Sequence, residues 1–213
     1  MKIDSVKVLG PFNSGTNLMT KIIKHISDIT DDQQPWKHTV DEKLLEEEIK
    51  NRKNTLFVCM YKPIYNWIES MKKTAYDIKW NNKVNRACVF NSAKISRKRR
   101  GSSCYMKNNG TYNNIVEIYN RYYLMYKILI ENNNNIVWID YYSLLDNQKY
   151  VIDKLEPFLP IIRRDYTQVL LTPCKRHGHS VKNANDALVK KAKVENLYHE
   201  SEDKIFIDNI LND

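Results

Sequence analysis

The pattern of apolar and polar positions begins with residues 6–10, a short apolar run ending at Gly10, which reads as a buried strand. Over residues 16–29, Leu18, Ile22, Ile23 and Ile26 recur at helical spacing, so a helix with one apolar face is predicted there. Residues 28–35 are polar and loop-like, 36–40 read as a second strand, and 41–50 as a charged surface helix capped by Asp41. Residues 56–61 form an unbroken apolar run, as a parallel strand covered on both faces requires. Pro63 then suits the first turn of a helix reaching to about residue 77. Ile, Tyr and Leu return at helical spacing over 112–131, 136–140 is another buried strand, and 148–159 is helical up to Pro160. Residues 169–180 are irregular, and 185–198 and 204–211 read as closing helices. Strands alternating with helices predict an α/β fold: three layers, α/β/α, around a central, mostly parallel sheet.

Composition narrows the class. A chain of 213 residues, 42% hydrophobic and 28% charged, is expected to fold as a single domain, residues 1–213, rather than remain disordered. No apolar run approaches the ~20 residues of a membrane helix, and no signal-peptide core precedes the first strand. The cysteines Cys59, Cys88, Cys104 and Cys174 lie far apart without CxxC spacing. That excludes a zinc knuckle or thioredoxin-like pair and predicts reduced thiols in a cytoplasmic setting. The net charge of +9 is local, because residues 71–107 carry eleven basic side chains against one acid, Asp77. A basic insertion at about 79–110, including Arg97, Lys98, Arg99 and Arg100, is either a solvated loop or a docking surface for an anionic partner. Its aromatic residues are too sparse for a stacking platform, which counts against nucleic acid as a partner.

Candidate chemistry starts where the first strand ends. Gly10-Pro11-Phe12-Asn13-Ser14-Gly15-Thr16-Asn17 is a glycine-bounded loop leading into a helix, and such loops aim backbone N–H groups at phosphate. Both glycines match the P-loop pattern GxxxxGK[ST], but Thr16 stands where the lysine belongs, which counts against an ATPase or kinase.

Residues 11–18 also resemble the 5′-phosphosulfate loop of PAPS-dependent sulfotransferases, often written PKSGTTW, and more closely a microbial sulfotransferase-like group with an NSGTN core. A second motif supports the likeness. Lys62 follows a strand and Ser70 comes eight positions later on the next helix, where the family places an arginine and a serine on the 3′-phosphate of 3′-phosphoadenylyl sulfate (PAPS). A lysine can do this as a point charge, without arginine's bidentate fork. His38 lies 24 positions before Lys62, the spacing of the family's general-base histidine, and imidazole is suited to accept a hydroxyl proton near neutral pH. Around Tyr141 the sequence is similar to the family's RYEDLL, which implies a place near the adenosine for that ring. Two departures stand out. Asn13 occupies the position of the family's catalytic lysine, and Leu18 that of a tryptophan against adenine. Lys37, Lys21 and the 175–178 run containing Arg176 are candidates to replace the missing cation, and that run also resembles the family's C-terminal 3′-phosphate motif.

The resemblance implies a P-loop NTPase-like sulfotransferase fold and sulfuryl transfer from PAPS to a hydroxyl or amine of an acceptor, leaving adenosine 3′,5′-bisphosphate. Asn13, Ser14, Gly15, Thr16, Asn17, Lys62, Ser70, Tyr141 and Arg176 would bind the cofactor, with His38 and Lys37 catalytic and no metal needed. The basic insertion favours an anionic glycan or acidic peptide as acceptor. Two alternatives stay open: a P-loop nucleotide kinase or NTPase using Asp140 on Mg²⁺, and a degenerate sulfotransferase fold that binds anions without turnover.

Overall fold

A computed structural model describes residues 2–33, 35–80, 93–95, 111–172 and 183–198. Most of the basic insertion, Arg176 with its neighbours, and the helix expected at 204–211 lie outside the described residues. In chain order the strands are β1 (Ser5–Leu9), β2 (Thr30–Asp31), β3 (Thr55–Tyr61), β4 (Ile78–Trp80), β5 (Ala93–Ile95), β6 (Thr111–Tyr112) and β7 (Ile136–Asp140). The helices are α1 (Thr16–Ile26), α2 (Glu42–Asn51), α3 (Ile64–Lys73), α4 (Ile115–Asn132), α5 (Ser143–Asp146), α6 (Gln148–Leu155), α7 (Thr167–Leu170) and α8 (Ala184–Tyr198).

The central sheet is parallel, in the order β2-β1-β3-β7, with helices on both faces. Successive residues of a strand point to opposite faces, and each face here has its own core. Val6, Val8, Leu56, Val58, Met60, Val137 and Ile139 pack with α1, α5 and α6. Leu9, Phe57, Cys59 and Ile136 pack with α2, α3 and α4. The unbroken apolar run of β3 is therefore used on both sides, as its sequence requires. Cys59, buried and unbonded, is held as a thiol, because burial raises its pKa.

Local signals set most helix starts. Asp41 accepts from the Leu44 N–H at 3.1 Å and caps α2, as expected. Asn114 accepts from the Glu117 N–H at 3.0 Å, while the Glu117 carboxylate reaches back to the Asn113 N–H at 2.9 Å. These two bonds start α4 three residues later than the apolar period alone indicates, because Thr111–Tyr112 is drawn into β6. No helix among the described residues is long and apolar enough to cross a membrane.

Three expectations need correction. Residues 36–40 are a turn rather than a strand, closed by Thr39 N–H donating to the Trp36 carbonyl at 3.0 Å. The outer neighbour of β1 is instead the two-residue β2, in a stretch that reads as polar loop. Helix α3 ends at Lys73, four residues early, because Thr74 is extended and the chain then turns into β4. The basic segment and the residues just after it also contribute strands. Strands β4, β5 and β6 form an antiparallel sheet that buries Ile78, Trp80 and Ala93 in the core beside α3 and α4.

Candidate functional site at the carboxyl edge of the sheet

Because β1, β3 and β7 are parallel neighbours, their exits meet at one edge, where α/β folds place their ligands. The β1 exit is shaped by its two glycines. A Cβ on Gly10 would lie 3.0 Å from the Met60 carbonyl oxygen and 2.4 Å from Ser14 Oγ. Gly15 has φ 90°, and a Cβ there would come within 2.3 Å of Tyr141 Cδ2. Only glycine meets both demands at Gly15.

The side chains between the glycines hold the loop in place. Ser14, fully buried, donates its hydroxyl to the Pro11 carbonyl at 2.8 Å. Trp67 of α3 donates its indole N–H to the Phe12 carbonyl at 2.6 Å. Asn13 sits in the left-handed region at φ 61° and donates its amide to the carbonyls of Thr74 at 2.9 Å and Ser70 at 3.3 Å. Its amide therefore closes the end of α3 and does not extend over the loop mouth. The first turn of α1 has Thr16 buried, Asn17 exposed and no acidic residue, so no side-chain charge there opposes an anion.

The turn at 36–40 changes what Lys37 and His38 can do. In an extended segment they would point to opposite faces; here both reach the β1 exit. Lys37 donates to Asn17 Oδ1, which sets its ammonium at the start of α1. Burial lowers its pKa, and Asp31 partly opposes that. His38 Nδ1 lies 2.6 Å from the Gly10 carbonyl oxygen. A carbonyl only accepts, so Nδ1 carries the hydrogen and Nε2 is the basic nitrogen. The ring stacks on Phe12 at 4.3 Å, and Tyr122 donates its hydroxyl to the His38 carbonyl at 2.7 Å.

At the β3 exit, Lys62 and Ser70 are brought together. Lys62, only 9% exposed, donates from Nζ to Ser70 Oγ at 2.8 Å, and that hydroxyl donates to the Asn66 carbonyl at 2.8 Å. The Lys62 ammonium lies 4.7 Å from the centre of the Tyr141 ring. Tyr141 thus touches both exits, with its edge against Gly15 and its face toward Lys62.

At the β7 exit, Asp140 Oδ2 accepts from the N–H groups of Tyr142 and Ser143, both at 2.9 Å. This carboxylate caps α5. Burial raises its pKa, against the pull of those two N–H groups. Among the described residues, no group of three or more His, Cys, Asp and Glu is placed to hold a metal ion.

Three residues near Lys62 were not singled out by the sequence. Asn66 Oδ1 accepts the Tyr142 hydroxyl at 2.7 Å, and Lys191 of α8 lies 5.0 Å from the Tyr142 ring centre. Asn66 could have been found, since it falls four residues before Ser70 on the same helix face. Nothing in the sequence marks Lys191 among its neighbouring lysines. No protein-family model matches the chain, and no curated protein matches it.

Proposed function

We propose that the chain is a PAPS-dependent sulfotransferase built on a P-loop-like fold. The observation that carries this is the Tyr141 ring between Gly15 and Lys62, which brings an anion-facing helix start and a buried lysine–serine pair to one place. The residues fit a nucleotide with phosphates at both ends. The loop has no acidic neighbour in the first turn of α1, and the buried Asn66 amide Nδ2 has no acceptor among the described residues.

Bound there, PAPS supplies an activated sulfuryl group. The N–H groups at the start of α1, from Gly15 to Asn17, bind and orient its 5′ side, and Lys62 and Ser70 bind the 3′-phosphate. Tyr141 would lie beside the adenosine. His38, fixed through Nδ1 to Gly10, takes the acceptor proton at Nε2. Lys37, tethered to Asn17, supplies the positive charge that Asn13 does not. No metal enters on this reading. The acceptor carries a hydroxyl, and the basic insertion favours an anionic glycan or acidic peptide.

A binding module without turnover is the second reading, favoured by the engagement of the Asn13 amide with α3. The kinase reading is weaker, since Asp140 serves as a helix cap. A sulfuryl-transfer assay with His38→Ala separates the first two. Wild-type transfer falling by ~10²–10⁴ in the variant supports the enzyme. Adenosine 3′,5′-bisphosphate should stabilise the protein without metal by about 2.7 kcal/mol at a hundredfold excess over Kd, and AMP by much less. A Mg²⁺-dependent preference for ATP would overturn the assignment.

A further inference from the structure

Asn66 is 4% exposed and its orientation is fixed, because Oδ1 accepts the Tyr142 hydroxyl at 2.7 Å. The other half of the amide, Nδ2, is buried and has no hydrogen-bond partner among the described residues. Folded proteins rarely keep a buried donor without an acceptor. The groups around this one are themselves donors. The Tyr142 hydroxyl donates to Asn66 Oδ1, the Ser70 hydroxyl donates to the Asn66 carbonyl, and Lys62 donates to Ser70. The carboxylates nearby, Asp140 and Glu195, face Lys191, and among the described residues none accepts from Asn66 Nδ2. A buried ammonium beside that donor favours an acceptor that is negatively charged.

A second cation approaches from another element. Helix α8 packs on α3 and α5. Its end is fastened to α3 at Tyr198, whose hydroxyl donates to Glu69 at 2.8 Å and accepts from Lys72 at 3.1 Å. From α8, Lys191 Nζ reaches 5.0 Å from the centre of the Tyr142 ring, and Lys62 Nζ lies 5.9 Å from the same centre. One tyrosine therefore fixes the Asn66 amide through its hydroxyl and carries two ammonium groups near its ring.

We infer that Asn66 and Lys191 are anion-binding residues: Asn66 donates Nδ2–H to an oxygen of a phosphate or sulfate group held by Lys62 and Ser70, and Lys191 adds a second positive charge from α8. The identity of the ligand as a 3′-phosphorylated nucleotide rests on the proposed function; the anion itself does not.

Titration calorimetry of the full chain tests this with two probes, adenosine 3′,5′-bisphosphate and inorganic pyrophosphate. Asn66→Asp keeps the acceptor for the Tyr142 hydroxyl and replaces the donor by an oxygen. It is expected to weaken the nucleotide at least ~10-fold. Lys191→Gln should weaken it roughly 3- to 10-fold, and Lys191→Arg should restore it. Lys193→Gln, an exposed charge on the same helix, should change nothing. AMP binding should be insensitive to all four substitutions. If wild type binds pyrophosphate but not the nucleotide, and both Asn66→Asp and Lys191→Gln weaken pyrophosphate, the inference stands and the nucleotide reading falls. If those two variants bind both probes as wild type does, a water satisfies Asn66 and the inference is overturned. Wild type binding neither probe overturns both.

Discussion

Strand β1 and the exit of its neighbour β3 each commit one lysine to the interior, with different surroundings. Lys7, 6% exposed, sits mid-strand opposite Phe57 and donates to the Asp32 carbonyl at 3.1 Å. Burial pulls its pKa down to about 8, and the nearby carboxylates of Asp31 and Asp32 only partly compensate. Lys62, 9% exposed, comes just after β3 and meets a hydroxyl and the faces of two tyrosines. A lysine closed in beside carboxylates belongs to the framework. The proposed function assigns a ligand to the lysine at the strand exit, among hydroxyl and ring partners beside a glycine loop. Burial alone does not separate the two lysines; their place along the strand and the chemistry of their partners do.

The contrast is broken most severely at Gly15, the point where the two exits touch. Gly15→Ala puts a Cβ at φ 90° and 2.3 Å from Tyr141, and is expected to cost about 3 kcal/mol or more. Thermal unfolding reads this directly. Pairing it with Tyr141→Ala should recover the part due to overlap and leave the part due to φ.

Replacing each lysine by methionine then separates their roles. Lys62→Met should weaken adenosine 3′,5′-bisphosphate by ~10–100-fold in a direct titration, with thermal stability kept or slightly raised. Lys7→Met should leave nucleotide affinity unchanged and raise stability at pH 7 by roughly 2 kcal/mol. The sign follows from its pKa. At about 8 in the folded chain against 10.5 for an ordinary lysine, the folded state binds fewer protons between those values. Wild-type stability should rise with pH across that window, and Lys7→Met should flatten the rise in chemical denaturation measured from pH 7 to 10.5.

The smallest effect is expected at Asn13. Asn13→Gly keeps the φ of 61° and removes the amide bonds to Thr74 and Ser70. It should cost about 1 kcal/mol, and Asn13→Ala more, because alanine also resists the left-handed conformation. Equal losses in both variants would show that the amide bonds, and not the backbone conformation, set the cost.

Much of this architecture is written locally in the sequence. The apolar runs at 56–61 and 136–140 became buried parallel strands, and the spacing of Leu18, Ile22, Ile23 and Ile26 became the core face of α1, because burial on one face or two leaves a period that any window of residues shows. Asp41 could be read as a cap because a cap bonds within its own first turn. Lys62 and Ser70 could be paired because β3 and the helix after it are joined by only two residues, Lys62 and Pro63. Contacts between distant segments left no such trace. The alternation at Trp36, His38 and Val40 imitates a strand, yet β1 took the polar Thr30–Asp31 as its neighbour, so Lys37 and His38 were left in a turn over the Gly10 loop. Asn66 and Lys191 lie 125 residues apart in sequence and come near one tyrosine only because α8 packs on α3 and α5. Periodicity and caps report what a residue's near neighbours bury or bond, so the sequence alone determined those elements that carry a core face or a cap of their own. Which elements lie side by side depends on strand order and helix packing, and that tertiary choice decided which cations, hydroxyls and amides share the site.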